Sequence, residues 1–189
     1  AGIPNAAESI MVMRDISLSE LTKSPVHIAH VSTRESVRAI REAKKRGVLV
    51  TAETAPHYFT LTDESVEAYN TNAKMNPPLR RKADNDALWQ ALRSGKIDIL
   101  ASDHAPHLPE EKREDIWEAP PGVPGVETML PLMLMAVKRN HISLERLVDA
   151  ISIRPAWIFG LAGKGKIEMA AEKAKAEGKK VDTAKFPWA

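Results

Sequence analysis

Cysteine is absent from the 189 residues. Its absence removes disulfides, thiolate metal sites and cysteine nucleophiles together, and leaves histidine and carboxylates as the side chains a transition metal could use. Aromatic residues are scarce, at 5%. No window approaches 18 consecutive apolar residues, so no membrane partner is expected. The opening residues Ala1-Gly2-Ile3-Pro4-Asn5 lack the charged-then-apolar pattern of a secretory signal. Neither charge dominates: 27 basic residues stand against 25 acidic ones, too even a balance to favour nucleic acid. With 43% apolar residues the chain can bury a sizeable core, and the cytoplasm is the default compartment. No Met stands at position 1, so the chain is expected to continue upstream.

Three segments repeat one pattern of apolar strand, polar turn and amphipathic helix, which predicts βα units and a parallel sheet. The strands are expected at residues 26–31, 48–52 and 97–101, adjacent in that order. Ser32-Thr33-Arg34-Glu35 has the form of a capping box ahead of Val37, Ile40 and Ala43, with Gly47 as the stop. Asp84 is the expected cap of a helix carrying Leu88, Ala91 and Leu92 and closed by Gly95. Further helices are predicted over residues 8–16, 126–139, 143–150 and 155–160, with a short one near 63–68. From Gly163 the composition turns to Lys, Ala and Glu. Residues 162–189 are therefore expected as a surface helix or poorly ordered tail, apart from a folded unit over 1–161.

The densest chemistry follows the third strand. Ser102-Asp103-His104-Ala105-Pro106-His107 sets a carboxylate and two imidazoles directly after an apolar run. Parallel α/β barrels present metal ligands and proton-transfer groups at such strand ends. Pro106 stiffens the turn between Asp103 and His107, so both side chains can enter one cavity. Alone, the Asp-x-x-x-His spacing reads more readily as a surface turn. With its neighbours the hexapeptide resembles the signature of the dihydroorotases of the amidohydrolase superfamily, Lys112 standing where that signature ends. His27-Ile28-Ala29-His30-Val31-Ser32-Thr33, Glu53-Thr54-Ala55-Pro56-His57, Lys74-Met75-Asn76-Pro77-Pro78-Leu79-Arg80 and Ala119-Pro120-Pro121-Gly122-Val123-Pro124-Gly125-Val126-Glu127-Thr128 resemble four further blocks, in the same order. The likeness covers residues 2–161.

The resemblance implies a cyclic amide hydrolase that interconverts N-carbamoyl-L-aspartate and L-dihydroorotate. It implies a binuclear zinc (Zn2+) centre in a (β/α)8 TIM barrel, with about the last three βα units of that α/β fold in this chain, followed by additional helices. It implies His30 and Asp103 as metal ligands, Asp103 also as the catalytic base and acid, and Asn76, His107, Pro121 and Gly122 as contacts of the small-molecule substrate. A carboxylate beside a divalent cation keeps a low pKa, takes the proton of an attacking water and returns it to the leaving nitrogen. Pro121 stands where an aromatic residue is usual and has no N–H, so the backbone contact there is expected either through Gly122 or weakened. Arg80 is either an anion partner or a loop brace. Glu53 and His57 are placed first as structural residues, and so is His104.

Other parts of the family pattern are missing. The chain has no His-x-His pair for the first metal. His30 and Asp103 alone do not close a zinc site, since catalytic zinc takes three protein ligands. Three parallel strands also leave an open edge that invites a second copy or a complementing chain. A catalytically inactive partner-binding module is thus the alternative from another class, and a hydantoinase- or allantoinase-type hydrolase the alternative within the enzymes.

Overall fold

The computed structural model describes residues 3–166. Pro4 precedes α1 (Asn5–Thr22), which buries a single stripe of Ser9, Val12, Ile16 and Ser19. It runs past the expected end at residue 16, its buried stripe continuing to Ser19, and the hydroxyls of Ser17 and Thr22 bond back to the carbonyls of Met13 and Leu18. Chain reversal at Lys23, in the left-handed region, leads into β1 (Val26–Ile28).

Thr33 caps α2 (Arg34–Lys45), its hydroxyl accepting the N–H of Ser36. The capping residue is thus one place later than the Ser32 of the expected box, and the hydroxyls of both Ser32 and Thr33 also bond the Glu8 carboxylate. Ile40 and Ala43 face the core, and Gly47 turns the chain at φ 78°. β2 (Val50–Thr54) begins two residues later than its β-branched run, since Val48 is used in closing the preceding helix through Ala43. A short turn of helix, α3 (His57–Thr60), follows directly, and 3-10 turns carry the chain across residues 63–73.

α4 (Lys82–Arg93) starts ahead of Asp84, so this carboxylate sits in the first turn and is not the cap. From there it accepts the N–H of Arg34 at 3.1 Å and the amide of Asn5 at 3.0 Å, joining the starts of three helices. β3 (Ile99–Leu100) completes a parallel sheet in the expected order β1-β2-β3. Ile28, Val50 and Ala52 share one core with Ile40, Leu88 and Leu92. Complete burial of a Val, Leu or Ile side chain contributes about 1.5–3 kcal/mol. The other face of the sheet is polar: His27 contacts Thr51 at 2.8 Å and Glu53 at 3.2 Å, with the Phe159 ring edge-on at 5.8 Å.

α5 (Val126–Lys138), α6 (Leu144–Val148), a π turn over Asp149–Ile153 and α7 (Arg154–Ile158) finish the described chain. Arg146 fastens this region to the sheet by donating to the carbonyls of Leu92 at 2.8 Å and Ile97 at 2.7 Å, which end α4 and lead into β3. The tail expected from residue 162 lies, beyond its first few residues, outside the described part.

Candidate active site

The parallel ladder continues past the formal strands: Val31 donates to Glu53 O and Ala101 to Thr54 O, both at 2.9 Å. These bonds bring the three strand ends level. His30 falls within the continued ladder of β1, and His57 and Asp103 follow the ends of β2 and β3. His30 at φ 40° and Asp103 at φ 47° both occupy the left-handed region. Such conformations cost about 1–3 kcal/mol each in non-glycine residues and gather at functional sites.

Asp103 meets two groups from the segment after β2. The buried Tyr58 donates its hydroxyl to Oδ2 at 3.4 Å. Burial first, and then the Asp103 charge, raise the Tyr58 pKa, so the phenol remains a donor. His57 brings Nε2 to 3.4 Å from the same oxygen, with no hydrogen-bond partner of sound geometry for that nitrogen. Its imidazole is buried against Tyr58, ring centroids 4.2 Å apart. Desolvation lowers its pKa to about 4, against the opposing pull of Asp103. A neutral buried imidazole facing a carboxylate across an unfilled hydrogen-bonding position is a suitable pair for a cation. The sequence places His57 first as a structural residue; the structure sets its ring beside Asp103, a neighbour that its place after a strand and a Pro turn does not reveal.

His30 and Asn76 line a different space, a cleft of about 330 Å³ between α1 and the end of β1 that Glu8, His27 and Arg80 also border. Arg80 is committed there as a brace. It is buried, and donates to Ser32 Oγ at 3.1 Å and to the carbonyl of Ile3 at 2.5 Å. Glu8 gathers the N–H groups of Ser32 and Thr33 at 3.1 Å each and lies 3.7 Å from the Arg80 guanidinium.

His107, Pro121 and Gly122 form a third group. His107 Nε2 donates to the carbonyl of Pro121 at 3.1 Å. Gly122, at φ 139°, gives its N–H to Lys74 O at 2.9 Å, so the group it has to offer a substrate is its carbonyl and not the N–H expected from the sequence. Lys112 braces the same loop by donating to the carbonyls of Pro120 at 2.8 Å and Thr71 at 3.2 Å. His104 turns away from Asp103 and accepts the N–H groups of Gly125 and Val126 on Nδ1, at 2.9 and 3.3 Å.

Gly125 has no room for a side chain: a Cβ there would stand 2.3 Å from the carbonyl oxygen of Ser102. Gly125→Ala is expected to destabilise the chain by about 1–3 kcal/mol, the usual cost of forcing an extra methyl into a packed contact. Urea unfolding of the full chain measures this, and an unchanged midpoint would show that α5 can back away from the Asp103 turn.

Among the described residues, no three His, Cys, Asp or Glu side chains gather closely enough to hold a metal ion. The His57–Asp103 pair, with its unpartnered nitrogen, fits one edge of such a centre and does not enclose one. Among the same residues no helix is long and apolar enough to cross a membrane.

Comparison with known proteins gives the chain its relatives. The chain is 58% identical over 160 residues to a dihydroorotase of Desulforapulum autotrophicum and 52% identical over 168 residues to that of Endomicrobium trichonymphae, covering 85% and 88% of its own length. Over these residues the chain is a dihydroorotase homologue. It spans 38% of the length of the first relative and 40% of the second. No protein-family model matches it. The dihydroorotase-like chain shares its α/β fold with solved hydantoinases. It superposes on the dihydropyrimidinase of Brevibacillus agri with a TM-score of 0.82 at 34% identity, and on the L-hydantoinase of Arthrobacter aurescens with 0.83 at 34%. These matches take in 87% and 88% of the chain, and 38% of each neighbour.

Proposed function

We propose that this chain supplies part of the active site of a metal-dependent cyclic amide hydrolase that interconverts N-carbamoyl-L-aspartate and L-dihydroorotate. The observation that carries the reading is the His57–Asp103 pair: an unpartnered imidazole nitrogen 3.4 Å from a carboxylate on a left-handed turn, at the shared edge of β2 and β3. The identity to dihydroorotases, 52–58%, exceeds that to the hydantoinases, 32–37%, and so favours dihydroorotate over a hydantoin. In the same reading the three strands are the last βα units of a (β/α)8 barrel, residues 1–161 belong to the barrel, and residues 162–189 form a separate tail. The cytoplasm, the default for a chain without cysteine, is the compartment that goes with this reading.

Each residue then has a task. His57 and Asp103 would hold one edge of the metal, and His30 would meet it from the neighbouring cleft; among the described residues no three such side chains gather at one point, and a closed centre needs further ligands. Bound zinc in such a place polarises a carbonyl and lowers the pKa of water. In ring opening, a water oxygen bonds to the ring carbonyl carbon while Asp103 takes the water's proton. The ring C–N bond breaks, and the same proton passes from Asp103 to the leaving nitrogen, giving the carbamoyl amino acid. Tyr58 holds the carboxylate at Oδ2 and leaves Oδ1 for the proton. Asn76, His107 and the carbonyl of Gly122 face the substrate's ring and carboxylate, with Pro121 holding His107.

The test is to assay the purified, metal-loaded enzyme containing this chain for loss of the dihydroorotate ultraviolet absorbance, beside a hydantoin substrate. Turnover of dihydroorotate at least tenfold above hydantoin in kcat/KM is expected, since a site built to bond one set of polar groups rejects the analogue lacking them. Preference for hydantoin would transfer the chain to the neighbouring activity.

A further inference from the structure

Asp103 is bracketed by contacts to one turn of backbone. On its amino side the Ser102 carbonyl packs against Gly125, where no Cβ fits. On its carboxyl side His104 takes the N–H groups of Gly125 and Val126 on Nδ1, and Ala105 donates to Val123 O at 3.0 Å. An imidazole that accepts at Nδ1 carries its proton on Nε2. The loop so gripped also presents the Pro121 carbonyl to His107. Two of the proposed working side chains, Asp103 and His107, thus hang from a single junction between the β3 turn and the start of α5.

We propose that His104 is a positioning residue, which pins the Asp103 turn to the loop over residues 119–125 and thereby holds the Asp103 carboxylate and the His107 ring in working register. The left-handed backbone of Asp103 makes a second hold necessary: without partners on both sides the turn relaxes toward the extended region, and the carboxylate moves. An ordinary helix cap would do less. It would satisfy the first N–H groups of α5 and leave Asp103 untouched.

The kinetic consequence rests on the proposed hydrolase reading; the structural one does not. In the complete enzyme, His104→Asn keeps an acceptor, Oδ1, at the place of Nδ1, whereas His104→Leu fills the space without one. His104→Leu is expected to lower kcat about ten- to a hundredfold with KM within about threefold, the cost of misplacing a reacting group by a fraction of an ångström to one. His104→Asn is expected to restore kcat to within about threefold of the unsubstituted enzyme. If the leucine variant does not fold, His104→Ala takes its place. An unsupported variant with full kcat, or an asparagine variant as slow as the leucine one, overturns the proposal. If the unsubstituted enzyme does not turn over dihydroorotate, the hydrolase reading fails on its own, and amide exchange in the full chain decides the clamp. Faster exchange in His104→Leu at Ala105 as well as at Gly125 and Val126, reversed in His104→Asn, upholds it. Acceleration confined to Gly125 and Val126 reduces His104 to a cap and overturns it.

Discussion

Asp103→Asn is expected to lower the turnover of dihydroorotate on the order of 10³-fold or more, with KM changed far less. The substitution keeps the shape of the side chain and an acceptor oxygen for the Tyr58 hydroxyl, which lies 3.4 Å from Oδ2. It removes the atom that takes a proton from water. Nothing in the immediate surroundings replaces that atom. Tyr58 is held as a protonated phenol by its burial, and His57, with a pKa lowered to about 4, sits behind the carboxylate with its ring buried. Steady-state kinetics of the complete metal-loaded enzyme, in both directions of the reaction, give the measurement. A variant within about tenfold of the unsubstituted rate would assign the base to another group.

The strand order was legible because each apolar run ends in turn chemistry, and because parallel neighbours joined by helices follow one hand. The strand limits were less so. Val48 has the β propensity of a strand residue, yet its N–H closes the turn after α2, and the ladder begins at Val50. Asp84 misled in a similar way. An Asp ahead of an apolar stripe looks like a cap, but here its carboxylate is drawn to the N–H of Arg34 and the amide of Asn5, partners that only the assembled helices provide.

The candidate site shows the same division. Asp103 and His30 were legible as chemistry at strand ends. The partnership of His57 with Asp103 was not, since it arises from the pairing of β2 with β3, and no local pattern carries it. His107 and Asn76 could be assigned to one turn and one loop, but the structure gives His107 to the Pro121 carbonyl and Asn76 to the cleft that His30 borders. Arg80 could be read as an anion site or a brace from its sequence alone. Its burial and its bonds to Ser32 and Ile3 settle that choice in favour of the brace.

Between about pH 6.5 and pH 4.5 the metal-free chain is expected to lose about 2–3 kcal/mol of stability, and most of that loss is expected to vanish in His57→Phe. Burial lowers the His57 pKa from 6.5 to about 4. Across this window the unfolded chain therefore binds a proton that the folded chain refuses. Stability rises with pH wherever the unfolded state holds more protons, so it falls as the solution is acidified, by at most about 1.4 kcal/mol for each pH unit. The carboxylates with lowered pKa, Glu20, Glu35, Glu42 and Glu145, start from 4.5 and act below the window, which leaves it to His57. Phenylalanine keeps a flat ring beside Tyr58 and cannot be protonated. Urea midpoints at pH 7, 5.5 and 4.5 with a chelator present compare the two chains. Parallel declines would mean that His57 is solvated in the folded chain, and would withdraw the buried imidazole on which the pairing with Asp103 depends.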